Sequence, residues 1–227
     1  MLTDRYNVWL DFFHDRYHEA EPFPHCVIDG FLPDDIAKDL YREFPPPGAE
    51  GWRRYHNVRE RKLEMSDPEA WPQPHKAVIA ELNSEPFCRF LSDLTDLEVL
   101  PDPAFTGAGL HQIEMGGVLD VHVDFNRHPT LARTRKVNLL LYLNPVWDES
   151  WGGHLELWDV DRMECAERLD PVLNRCVIFT ASERSYHGHP EPLNAPPGVN
   201  RQSIALYYYV DGIDDGNDDH TTTWLER

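Results

Sequence analysis

The sequence predicts an α+β protein with a mainly β core: helices from the N-terminal half packed on an antiparallel sandwich or barrel built by the C-terminal half. Two observations carry this expectation. Up to about residue 96 the apolar residues recur at helical spacing, whereas beyond Pro101 and Pro103 they form short alternating or continuous runs of strand length. Those runs are punctuated by turns at Gly116-Gly117, Gly152-Gly153 and the proline-rich stretch 190–198. No repeat or linker interrupts the 227 residues. One domain is therefore expected over 1–227, with a helical part to about residue 100, a β core over about 101–210 and an acidic C-terminal tail.

Taken in order, Trp9, Leu10, Phe12, Phe13 and Tyr17 mark a first helix from Thr3 to about Glu19, ended by Pro22 and Pro24. His25 to Ile28 reads as a short strand. A second helix opens at Leu32-Pro33-Asp34-Asp35, where proline suits the first turn and two acids suit the positive end of the helix dipole. Its expected buried stripe is Ile36, Leu40 and Phe44. Residues 49–73 show no clear period and read as extended chain or loop. Helices are expected over 74–83 and 86–96, the second capped by Ser84 and burying Phe87, Phe90, Leu91 and Leu94. Strands are expected at 108–114, 119–125, 136–144, 154–158, 174–180 and 201–210. The stretch Asp211 to Asp219 is acidic but lacks the spaced ligands of a calcium loop, and reads as a solvated tail.

A formal net charge of −19 argues against a nucleic-acid backbone or an anionic membrane surface as partner, because both demand clustered basic side chains. Cys26, Cys88, Cys165 and Cys176 form no CxxC pair, so reduced, mostly buried thiols are expected. No apolar run approaches the roughly 20 residues that span a bilayer, and the N-terminus does not read as a signal peptide. These features set the expectation of a cytoplasmic protein; the oligomeric state is left open.

The chemistry centres on Val121-His122-Val123-Asp124-Phe125. On a strand, His122 and Asp124 project to one face. A second imidazole from a later strand completes a facial triad of two histidines and one carboxylate, the set that suits non-haem Fe(II) and leaves coordination sites open. His187 and His189, two apart in one turn, are the candidates. Strand alternation also places Asn138, Leu140 and Tyr142 on one face, and Arg201, Ser203, Ala205 and Tyr207 on another. An inward arginine is costly unless it meets an anion. A dicarboxylate co-substrate would supply a bidentate partner for Arg201, with the Ser203 and Tyr142 hydroxyls adding hydrogen bonds.

His122-x-Asp124, Tyr142-Leu-Asn144, Trp147, Gly152-Gly153-x-Leu155, His187 and Arg201 together resemble the Fe(II)/2-oxoglutarate-dependent oxygenases, in the branch of the prolyl 4-hydroxylases. Val121–His128, Trp151–Asp159, Tyr186–Leu193 and Ala205–Tyr209 are similar to phrases in bacterial members of unknown substrate. The resemblance covers about residues 22–210. It implies a double-stranded β-helix, or cupin-like jelly roll, with supporting N-terminal helices. It implies His122, Asp124 and His187 on iron, Arg201 on the distal carboxylate of 2-oxoglutarate, and Tyr142 on that same carboxylate. Gln112 stands where the branch often has an aromatic hydroxyl, and its amide is a further candidate for the co-substrate. O₂ completes the cofactor set. The implied reaction hydroxylates an unactivated C–H of a small molecule or peptidyl residue, releasing succinate and CO₂. Asp124 matters to this choice, because halogenating relatives carry a small residue there. The alternatives are a cupin-like metal-binding barrel of other activity, or a non-catalytic binding barrel. Two arginine-bearing stretches, 52–63 and 125–135, are expected at the rim of the site, where Arg54, Asn126 and Arg127 are candidate substrate contacts.

Overall fold

The computed structural model describes residues 3–212 and 220–226. Among the described residues the α-helices are α1 (Thr3–Glu19), α2 (Asp34–Arg42), α3 (Gln73–Leu82) and α4 (Glu85–Thr95). The strands are β1 (His25–Asp29), β2 (Arg53–His56), β3 (Arg61–Met65), β4 (Leu100–Pro101), β5 (Gly109–Ile113), β6 (Leu119–Val123), β7 (Arg133–Tyr142), β8 (Leu155–Asp159), β9 (Glu164–Leu169), β10 (Arg175–Thr180), β11 (His187–His189), β12 (Arg201–Asp211) and β13 (Thr223–Trp224). They form two antiparallel sheets. The larger runs β1-β10-β7-β12-β5-β3-β2 with β4 beside β12, and the smaller runs β13-β6-β11-β8-β9. This is the expected jelly roll with its helices.

Alternation on the central strands explains the layering. Val137, Leu139, Leu141 and Leu143 point outward from the larger sheet, with Ile204, Leu206 and Tyr208 of β12 beside them. There they meet Phe87, Phe90, Leu91 and Leu94 of α4 and Leu40 and Phe44 of the α2 region. Each of these leucines is essentially inaccessible, so truncating one to alanine costs roughly 2–5 kcal/mol. The opposite face of the same strands looks toward the smaller sheet and carries the polar positions. Phe23, Tyr142, Leu155, Leu157, Val177 and Phe179 fill the space between the sheets there. Ser84 caps α4 by accepting from the Phe87 amide.

Several expectations are corrected. The stretch 49–73, read as extended chain or loop, is extended in part: it holds the β2–β3 hairpin, which joins the larger sheet through β3 and β5. Ile36 is exposed, because the buried stripe of α2 runs through Ala37, Leu40 and Phe44 and leaves Ile36 at its solvent edge. His187 to His189 form a strand between β6 and β8, not a turn. Residues 125–135 are not all rim: His128 is buried against Asp102, and Arg135 is 2 % exposed. The chain beyond residue 211 is not simply a tail, since β13 returns to pair with β6; residues 213–219 lie outside the described residues. The four cysteines are free thiols, all but Cys165 buried. Among the described residues no helix is long and apolar enough to cross a membrane.

Candidate active site

β6 and β11 are neighbours in the smaller sheet, and their register sets His122 directly opposite His187. The two rings lie 4.6 Å apart between centroids. Asp124 follows β6 by one residue and turns its carboxylate between them. Its Oδ1 is 3.4 Å from His122 Nε2 and its Oδ2 is 3.4 Å from His187 Nε2. The three groups offer ligand atoms within 4.8 Å of one another, and their separations are longer than direct hydrogen bonds, so a metal can sit between them.

The backbone decides which ring nitrogen faces the centre. His122 Nδ1 is 2.8 Å from the Asp120 carbonyl and His187 Nδ1 is 2.9 Å from the Ser185 carbonyl. A carbonyl only accepts, so each Nδ1 carries the proton and each Nε2 offers its lone pair inward. Burial holds the His187 pKa down, at about 4, with Asp124 opposing it; the imidazole is neutral at physiological pH, as a ligand must be. Burial alone would raise the Asp124 pKa, but Arg135 and the two imidazoles outweigh it and hold the carboxyl well below the ordinary range. Arg135 Nη2 and Asn138 Nδ2 donate to Asp124 Oδ2 at 2.8 and 2.9 Å, and Arg135 Nε donates to Asn138 Oδ1 at 2.8 Å. The guanidinium carbon lies over Tyr207, 3.4 Å from its ring centroid.

A cleft of about 590 Å³ opens beside this triad, lined by His122, Asp124, His187, Arg201, Ser203 and Lys62 among others. Arg201 is 6 % exposed. Its Nε donates to the Gly153 carbonyl at 2.7 Å and its Nη2 to Tyr142 Oη at 3.1 Å, which aims the guanidinium along the cleft. Gly153 has φ +72, and a Cβ there would press on Leu193, Trp147 and Arg201 at 3.0 to 3.3 Å. The Gly-Gly motif is thus the backbone support of Arg201.

Gly188 has a comparable role between the histidines. A Cβ on it would lie 2.8 Å from the carbonyl oxygens of both Leu119 and Asp120. Gly188→Ala should therefore push β11 off β6 and disturb the Asp120 carbonyl that orients His122. The expected loss is roughly 10–100-fold in Co(II) affinity, read by calorimetry, the range for disrupted partners of metal ligands.

Residues 108–209 match the 2OG-Fe(II) oxygenase superfamily. Prolyl 3-hydroxylase OGFOD1 of Mus musculus is 28% identical over 203 residues, covering 85% of this chain and 34% of that protein. The chain spans about a third of the length of the curated relatives it matches. A prolyl-4-hydroxylase of Pseudomonas putida aligns with TM-score 0.62 at 18% identity, covering 89% of this chain and 99% of that one. A prolyl 4-hydroxylase of Phytophthora capsici aligns with TM-score 0.61, also at 18% identity, over 94% of this chain and 65% of that one. These structural likenesses establish the shared fold.

The oxygenase superfamily is named for Fe(II) and 2-oxoglutarate, and the residues present fit both. Two imidazoles with their Nδ1 atoms held by backbone carbonyls, and a carboxylate held in its anionic state, suit Fe(II), and a buried arginine heading a polar cleft suits a dicarboxylate. His189 stays outside the triad, although it lines the cleft and is buried with neither ring nitrogen hydrogen-bonded. Gln112 does not line the cleft. Alternation on β5 turns it away, toward Asn200 Nδ2 at 3.1 Å, and His111 takes the inward position. Arg54, Asn126 and Arg127 are not among the residues lining the cleft or the second cavity that meets the triad. Arg54 instead pairs with Glu114, and Asn126 accepts from the His220 amide at 3.1 Å. Sequence reasoning missed Arg135, Lys62 and Trp224, whose ring lies 5.3 Å from that of His122.

Proposed function

We propose that this chain is an Fe(II)- and 2-oxoglutarate-dependent hydroxylase, with His122, Asp124 and His187 as iron ligands and Arg201 as the anchor of the co-substrate's distal carboxylate. The observation that supports this most directly is one cleft holding both a metal-ready triad and a buried, aimed arginine. When bound, Fe(II) and 2-oxoglutarate supply the oxidising power, one oxygen atom of O₂ passing to succinate as CO₂ leaves and the other to the hydroxylated carbon. The protein's own residues hold and orient. His122, Asp124 and His187 would hold Fe(II) from one side, and the cleft beside them would admit co-substrate and O₂. Arg201, Ser203 and Tyr142 fix the far carboxylate, so the co-substrate lies along the cleft toward the triad. Leu140, Leu155 and Phe179 give that cleft apolar walls and limit water. Asp124 occupies a ligand position that a halogenating site would leave free, which favours hydroxylation.

The substrate reading rests on the relatives, named as prolyl hydroxylases. A peptidyl proline is the substrate class proposed. A second cavity of about 580 Å³ meets the triad from the hairpin side, walled by Tyr55, Phe125, Tyr207 and Trp224 with Glu60 and Glu64. Aromatic faces around the metal-ready triad suit an uncharged ring. The test is anaerobic titration of the Fe(II)-loaded protein with 2-oxoglutarate. A weak visible metal-to-ligand charge-transfer band is expected; a colourless, non-binding protein would overturn the class. Proline-containing peptides should then stimulate succinate release, and indifference to all of them would overturn the substrate reading alone.

A further inference from the structure

A second set of metal-type ligands converges on the helical layer, outside the jelly roll. His14 and His18 are one turn apart on α1, so their rings share a face, 4.9 Å apart between centroids. Asp96, held at φ 56 where α4 ends, reaches across from the neighbouring helix. Its Oδ1 is 3.5 Å from His14 Nε2, and its Oδ2 is 3.4 Å from His18 Nε2. The three ligand atoms lie within 4.8 Å of one another. Behind them, Asp15 Oδ1 lies 3.0 Å from His14 Nδ1, the carboxylate-behind-imidazole arrangement that orients metal-bound histidines.

Distances separate two explanations. Protonated imidazoles bonded directly to a carboxylate sit roughly 2.7–2.9 Å from it. Groups sharing a tetrahedral cation through bonds of about 2.1 Å sit about 3.4 Å apart. The observed 3.5 and 3.4 Å, one to each Asp96 oxygen, are longer than direct bonds and leave room for a cation between the three groups, as do the separations within the His122–Asp124–His187 triad. We propose that His14, His18 and Asp96 form a second divalent transition-metal site, of the class that Zn²⁺ fills, with water completing the shell on the exposed side. Such an ion ties the C-terminal half of α1 to the end of α4. The N-terminal half is already held there by Tyr6 stacking on Phe90 and by Trp9 meeting the same ring at a tilt.

The probe is Zn²⁺ alone, titrated calorimetrically into the metal-free full chain. The jelly-roll triad also takes divalent cations, so equivalents are counted. Two per chain are expected for the wild type, one for His14→Ala/His18→Ala, and one for His187→Ala. His18→Ala alone should weaken the second equivalent at least tenfold. Both histidines are accessible and outside the core, so the double variant is expected to fold, and its charge-transfer band with Fe(II) and 2-oxoglutarate should match the wild type. A Zn²⁺ stoichiometry that is the same in the wild type and in His14→Ala/His18→Ala overturns the proposal.

Discussion

Asp124→Ala should abolish stoichiometric Fe(II) binding and leave co-substrate turnover at background. Two separate losses are expected, and they are measurable apart. The first is the ligand: two imidazoles remain, set for a facial triad that no longer exists. The second appears even without metal. Arg135 is 2 % exposed and pairs with Asp124 at 2.8 Å, so removing the carboxylate strands a buried guanidinium, a class of change that costs about 3–5 kcal/mol. Urea unfolding of the chelator-treated protein reads that loss directly. His122→Ala is the control, since His122 gives up one hydrogen bond to a backbone carbonyl and strands no charge. It should lose iron equally but destabilise the metal-free fold much less. An Asp124→Ala protein that bound Fe(II) like the wild type would move the metal site elsewhere. Equal stability of the two metal-free variants would show that the Arg135 pair contributes little.

Arg201→Ala should weaken 2-oxoglutarate binding by about 2–5 kcal/mol, the range for removing one partner of a desolvated charge pair. That is roughly a 30- to 4,000-fold rise in its dissociation constant. Iron affinity without co-substrate should be unchanged, because Arg201 is not among the metal-ready groups. Arg201→Lys should recover only part of the loss. The fork that simultaneously serves the Gly153 carbonyl, Tyr142 and a carboxylate is a property of guanidinium geometry. Unaltered co-substrate affinity in Arg201→Ala would transfer the anchor to Lys62, the other cation lining the cleft. Arg175 and Arg184 are unsuited to that role, being paired with Asp29 and Asp161.

The features legible in the sequence are those that follow from period alone. Spacing by two puts His122 and Asp124 together, turns Arg201 and Ser203 inward, and gives β7 one apolar face for the helices. The helical spacing before residue 96 likewise located α1, α3 and α4 to within a residue or two. What the sequence does not contain is register between strands. His187 is set opposite His122 by the β6–β11 pairing, and nothing in a three-residue strand with a central glycine announces that. Arg135 is the clearest case. Counting back from Asn138 by twos would turn Lys136 inward. Yet Tyr208 pairs with Val137 and Tyr209 with Arg135, so β7 carries an extra residue there. That bulge reverses the alternation and delivers Arg135 to Asp124. Trp224 reaches His122 only because a two-residue strand, too short to show any period, closes the edge of the smaller sheet. Local pattern determined which residues face inward; pairing and bulge, which depend on chain far away in sequence, decided what they face.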